Sequence, residues 1–208
     1  MKVILKKLQR TAVLFAVVLC VQSAVFASGK KDFGKKDGET SVPGLYQYTL
    51  DNGLELFVAE NDSAPLAYIE LAVRAGGIAQ TPETAGIFHL YEHMMFEGDS
   101  QYKSSADMDK AVQDMGVLGQ NAQTGINCVK YYFTVPADLL EKGLEFWNYA
   151  IREPLLSEEG LASQKKVVTA EIEGNFSDPG RIYSYNMFRT LSPKYPCRIS
   201  CTDKTFFY

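Results

Sequence analysis

The chain has 208 residues, 46% of them apolar, and a formal net charge of −4. That composition belongs to a globular protein and excludes a disordered tail. The mild acidity, with no basic stripe interleaved with aromatics, gives no reason to expect a nucleic-acid partner.

Lys2, Lys6, Lys7 and Arg10 precede an apolar run over residues 11–26, which ends in "VFA" before Ser28. A charged start, an apolar middle and small residues at a cleavage point predict a signal peptide over 1–27. The protein is therefore expected to be exported, periplasmic or secreted, or membrane-anchored if the leader stays attached. Residues 28–43, with "GKKD" twice, are polar and glycine-rich and read as a flexible linker. Export permits disulfides, and the mature chain would hold Cys128, Cys197 and Cys201, an odd count without CxxC spacing.

Residues 44–195 carry the periodic signals of a folded domain. Two strand-like runs flank Asp51-Asn52-Gly53, a hairpin signal, and "LAYIELAVRAGG" reads as a third strand. A helix is expected from "TPET", with Thr81 as cap and Pro82 at its first position, ending near Gly98. A second follows over "SSADMDKAVQDMG", then the strand "VKYYFTV". A third helix over 136–152 sets Leu139, Leu140, Leu144, Trp147 and Ile151 at helical spacing. Ser157 caps a fourth that runs to about Asn175. Past Pro193 the pattern fades, and 196–208 is expected to be an unstructured or truncated tail. This order predicts an α+β fold, an antiparallel sheet covered by helices on one face.

Both of the chain's two histidines lie in "GIFHLYEHMMFEGD", and Glu92 directly precedes the second. At i and i+4, His89 and His93 project from one face of the helix, and Glu92 shares it. The neighbouring Ile87, Phe88, Leu90, Tyr91, Met94, Met95 and Phe96 mark the helix as buried. Burying two imidazoles and a carboxylate unpaired costs on the order of several kcal/mol. Pairing among themselves or with backbone carbonyls is the simpler way to meet that cost. A divalent metal meets it better, because neutral imidazoles at this spacing are good zinc ligands and H-x-x-E-H is an inverted zinc-hydrolase motif.

A catalytic zinc needs a third protein ligand. With no histidine left, Asp, Glu or Cys must supply it. In the fourth helix Glu171 shares a face with Gln164, Val167 and Val168, whereas Glu173 shares a more solvated one with Lys166, Thr169 and Ala170. Periodicity therefore favours Glu171 over Glu173, and Cys128 in a strand-like segment ranks below both.

These residues match a known family. The chain resembles the pitrilysin/insulinase family of inverted-motif zinc peptidases, which includes mitochondrial processing peptidase. The similarity covers roughly residues 45–196: the hairpin "NGLELFVAEN", "AGIFHLYEHMMFEGD", "GQNAQTG", and "VVTAEIEGN", whose Glu171 lies 78 residues after His93. It implies an α+β metalloenzyme domain of the LuxS/mitochondrial-processing-peptidase type, holding one Zn2+ per chain on His89, His93 and Glu171 with Glu92 as general base. Asn121 and Ala122 match the family's edge strand, where an extended peptide substrate pairs with backbone. By itself "NAQT" reads as an ordinary turn.

Two departures stand out. Family members usually carry a second glutamate two helical turns before the third ligand, where this chain has Gln164, an amide that adds no charge beside the metal. They also generally join such a domain to a related second half that closes over substrate, and this chain looks like the N-terminal catalytic half alone. Three readings follow. The first is an exported zinc metalloendopeptidase, partnered by a second homologous half or subunit. The second is a zinc-binding interaction subunit without turnover. The third is a small-molecule metal lyase of the S-ribosylhomocysteine type, which would need Cys128 as third ligand.

Overall fold

The computed structural model describes residues 36–191. The expected leader, most of the linker and the tail over 196–208 lie outside that range. The described chain forms two units, divided after Pro65.

In the first unit β1 (Lys36–Glu39), β2 (Leu45–Thr49) and β3 (Glu55–Ala59) form an antiparallel sheet in that order. β2 and β3 make the expected hairpin, pairing from Leu45↔Ala59 to Thr49↔Glu55. Its turn uses both residues of the Asn-Gly signal: Gly53 takes φ 82° and Asn52 Oδ1 accepts from Leu54 N at 3.0 Å. β1 corrects the linker reading. Polar side chains do not prevent a ladder built from backbone groups, and Lys36–Glu39 pairs with β2 through a bulge between Lys36 and Gly38.

The second unit holds β4 (Leu66–Val73), β5 (Leu118–Thr124) and β6 (Val129–Pro136), antiparallel in the order β4-β6-β5. Its helices are α1 (Ile87–Met94), α2 (Ser105–Asp114), α3 (Leu140–Arg152), α4 (Glu158–Asn175) and α5 (Pro179–Leu191). The alternation of β6 turns Val129, Tyr131, Phe133 and Val135 inward, each buried. α3 packs on β4 and β6, so this is the expected sheet with a helical cover.

The face α3 presents is not the one its leucines suggest. Leu140 and Leu144 are 42% and 44% exposed, while Gly143, Phe146, Trp147, Ala150 and Ile151 are buried. Two causes combine. Phe146 and Trp147 carry more burial area than the leucines and stack on Phe133, with centroids 5.6 and 5.0 Å away. Gly143 lets the helix close on the sheet, since a Cβ there would stand 2.7 Å from Ile69 Cδ1 and 3.1 Å from Phe133 Cε2.

Other local expectations are also corrected. Thr81 and Thr84 form a capping box, but on a single 3-10 turn over Pro82–Thr84. Gly86, at φ 87°, restarts the chain as the N-cap of α1, a conformation that favours glycine. α1 ends at Met94, before Gly98. β5 is poor in strand-forming residues over Gly119, Gln120 and Asn121 and is held by pairing with β6, so periodicity misses it. α5 is missed too, although Pro179 at its first position and Asp178 Oδ1 accepting from Gly180 N at 2.8 Å are ordinary start signals. Val167 is 48% exposed, not inward. Among the described residues no helix is long and apolar enough to cross a membrane.

A short bridge fixes the exit of α1 to the entry of α4. Leu155 N donates to Gly98 O at 2.8 Å and Ser100 N to Glu153 O at 3.1 Å. Between them Asp99 is fully buried, its Oδ1 accepting from Gln101 N and Tyr102 N at 2.7 Å each.

Candidate metal centre

α1 enters the core through Gly86, whose N–H donates to the Oε1 of buried Gln80 at 2.9 Å. Two turns of apolar contact then hold the helix, and its one polar face carries His89, Glu92 and His93. His89 is 7% exposed. The two imidazoles stand edge to face, centroids 4.9 Å apart.

α4 packs along α1 and brings Glu171 to both rings. Glu171 Oε2 lies 3.4 Å from His89 Nε2 and 3.5 Å from His93 Nε2. These separations are long for hydrogen bonds. They suit a shared metal instead: ligand atoms about 2.0–2.1 Å from zinc at tetrahedral angles lie roughly 3.3 Å apart. Among the described residues His89, His93 and Glu171 are the one group of potential ligands so clustered; Glu173 and Cys128 are not part of it. The donor set, two imidazole nitrogens and a carboxylate oxygen, fits zinc. Burial holds the His89 imidazole below its ordinary 6.5, Glu171 opposing and His93 reinforcing, and neutral imidazole is the ligating form.

Glu92 projects beside this cluster toward β5, where Thr124 Oγ1 donates to its Oε2. Burial raises the Glu92 carboxyl above its ordinary 4.5, and the Thr124 bond and His93 offset part of the rise. Asn121 and Ala122 lie on the same strand, opposite Tyr132 and Tyr131 of β6. β5 is at the edge of its sheet and packs against α1. Asn121 is exposed, and its Oδ1 accepts from Ala122 N at 2.9 Å. Gln164 reaches the site from α4: its Oε1 is 3.1 Å from His93 Nδ1 and its Nε2 donates to Glu97 Oε1 at 2.5 Å.

Sequence reasoning passes over Thr124, Glu97 and Gln80. Thr124 had a signal, because it lies two residues beyond Ala122 and so on the same strand face. Glu97 and Gln80 act through contacts whose partners lie far along the chain or around a tight turn, and no local pattern marks them.

Fold and site together place two histidines and a glutamate, drawn from paired helices and beside an edge strand, where they could hold a metal ion. Residues 56–191 match the model of the Insulinase family (Peptidase family M16), and the chain belongs to that family. It is 30% identical over 140 residues to a protein of Arabidopsis thaliana named "Zinc protease PQQL-like", covering 64% of this chain and 14% of that one. Coenzyme PQQ synthesis protein F of Pseudomonas putida is 28% identical over 153 residues, with coverages of 73% and 20%. Human insulin-degrading enzyme is 26% identical over 148 residues, with coverages of 71% and 14%. The chain thus spans a fifth or less of the length of these relatives. In fold it is similar to a protease from Helicobacter pylori (TM-score 0.73, 21% identity, 80% of this chain and 40% of that one). It is likewise similar to pitrilysin (TM-score 0.67, 20% identity, 90% of this chain and 19% of that one).

Proposed function

We propose that the chain is the catalytic half-domain of an exported zinc metalloendopeptidase that hydrolyses peptides or proteins. One observation carries this reading: two Nε2 atoms and one carboxylate oxygen converge at metal-ligand spacing with the half-buried Glu92 carboxylate alongside. His89, His93 and Glu171 would hold one zinc. When bound, the metal supplies a Lewis acid that polarises a carbonyl and lowers the pKa of water.

The chain's own residues supply the rest. Glu92 accepts a proton from the attacking water, and its raised pKa makes it a stronger base than a solvated glutamate. Thr124 holds Glu92 Oε2, which leaves Oε1 for that proton. β5 offers its edge to an extended substrate near Asn121 and Ala122, so the scissile bond is laid beside Glu92. A second homologous half or subunit would close the other side. Residues 1–27 would direct export.

A second reading is a zinc-binding subunit without turnover, and Gln164 in place of a charged residue favours it. Two measurements on the purified chain separate the readings. Zinc stoichiometry of one, lost in Glu171→Ala, is expected under both, and a folded parent without zinc would sink both. Peptide hydrolysis that falls about 10²–10⁴-fold in Glu92→Gln supports the peptidase. Hydrolysis absent from the parent even with a candidate second half added would leave the binding subunit.

A further inference from the structure

The amide at position 164 raises a question of orientation. A zinc-ligating imidazole is usually fixed by a partner on its other nitrogen, which sets the tautomer and the direction of the lone pair. A carboxylate does this unambiguously because it only accepts. A glutamine does not: its two ends are nearly equal in shape, one accepting and one donating. Turned one way, Gln164 forces His93 to carry its proton on Nδ1. Turned the other way, it would put an N–H against Nδ1 and drive the proton onto Nε2, where it would block the lone pair facing Glu171.

Glu97 removes that ambiguity. Its Oε1 receives Gln164 Nε2 at 2.5 Å, and an acceptor-only group there obliges the amide to present Oε1 to His93 Nδ1, 3.1 Å away. Glu97 is itself pinned. Its carboxylate lies against Gly160 in the first turn of α4, where a Cβ would stand 3.0 Å from Oε2 and 3.5 Å from Cγ. The first turn of a helix also favours negative charge. His89 has no comparable support: its buried Nδ1 has no hydrogen-bond partner among the described residues.

We infer that Glu97 is a positioning residue of this centre, acting through Gln164 to keep the His93 proton on Nδ1 and its Nε2 lone pair toward Glu171. The inference deepens the zinc reading and rests on it for its purpose. The carboxylate expected at position 164 has in effect moved one residue outward, to the segment that leaves α1.

The experiment reads the tautomer directly. The chain's two histidines make a nitrogen-15 imidazole spectrum simple to assign, with His89→Gln identifying the other ring. In the metal-free parent at alkaline pH, His93 should carry its proton on Nδ1. Glu97→Leu should yield a mixture of tautomers and weaken zinc about 10–100-fold in a chelator competition, the range typical of lost outer partners. Adding Gln164→Glu to Glu97→Leu should restore both, because a carboxylate at 164 needs no second group to orient it. Loss of a merely structural contact between Glu97 and Gly160 would not be repaired that way. Glu97→Ala, which removes the same carboxylate with a smaller side chain, should reproduce the Glu97→Leu spectrum and serves if Glu97→Leu misfolds.

A parent His93 protonated on Nε2 overturns the inference, as does a failed rescue in a folded double variant. A parent with the Nδ1 proton but no zinc affinity would refute the metal reading and leave the relay standing.

Discussion

At the residue scale the centre mixes groups whose burial pulls in opposite directions. His89 titrates below 6.5 in the fold, so the unfolded chain binds its proton first. The metal-free protein therefore loses stability as pH falls below about 6.5, and the loss is complete once His89 is protonated in the fold. Glu92 titrates above 4.5 in the fold, so the folded chain binds that proton first. Its contribution costs stability at neutral pH, and the cost is relieved as pH falls through the raised value toward 4.5. The two slopes oppose each other where the windows overlap. Glu92→Gln removes one, so its urea midpoint should fall more steeply than the parent's as pH drops from 6.5 toward 4.5, both treated with chelator. Equal slopes would mean that Glu92 titrates as an ordinary exposed carboxylate.

Elements hold these residues by close approach more than by propensity. Gly143 allows α3 to lie on β4 and β6, with Ile69 and Phe133 where a side chain would stand. Gly143→Val should cost about 1–3 kcal/mol by overpacking, read as a lower denaturation midpoint with an unchanged m-value. A neutral result would show that α3 can shift outward freely. The same packing explains what could be read in advance. The α1 face was legible because His89, Glu92 and His93 stand at helical spacing within one apolar run. Glu171 was legible as a choice of face on α4, even though Val167 on that face proved exposed. β5 was legible only through family likeness, because Gly119, Gln120 and Asn121 have little strand tendency and the ladder to β6 decides the matter. The leucines of α3 misled for the converse reason: spacing counts apolar residues, whereas burial went to the larger aromatics and to a glycine.

For the whole molecule, the metal would join parts that the sequence keeps far apart. His93 and Glu171 stand 78 residues apart, on α1 and α4, and the Gly98–Ser100 bridge to Glu153 and Leu155 already holds those helices in register. Zinc binding to the folded chain alone should stabilise it by about 4 kcal/mol at a free concentration a thousand times Kd. For a chain of this size, chelation should then lower Tm by roughly 8–16 °C in calorimetry. Glu171→Ala should show little further drop on chelation, and a parent indifferent to chelator would argue against a closed site.

The order β4-β6-β5 has a consequence for how this unit comes into being. Both outer strands hydrogen-bond to β6 and not to each other, yet β6 is last of the three along the chain. A nascent chain that has emerged only as far as Thr124 carries α1 and both outer strands but no ladder to join them. β5 and β6 are close in sequence and close their loop cheaply, whereas β4 must wait for a partner more than fifty residues downstream. Until residues 129–136 arrive, β5 is an open segment beside an apolar helix, its backbone groups without the ladder that will later hold them.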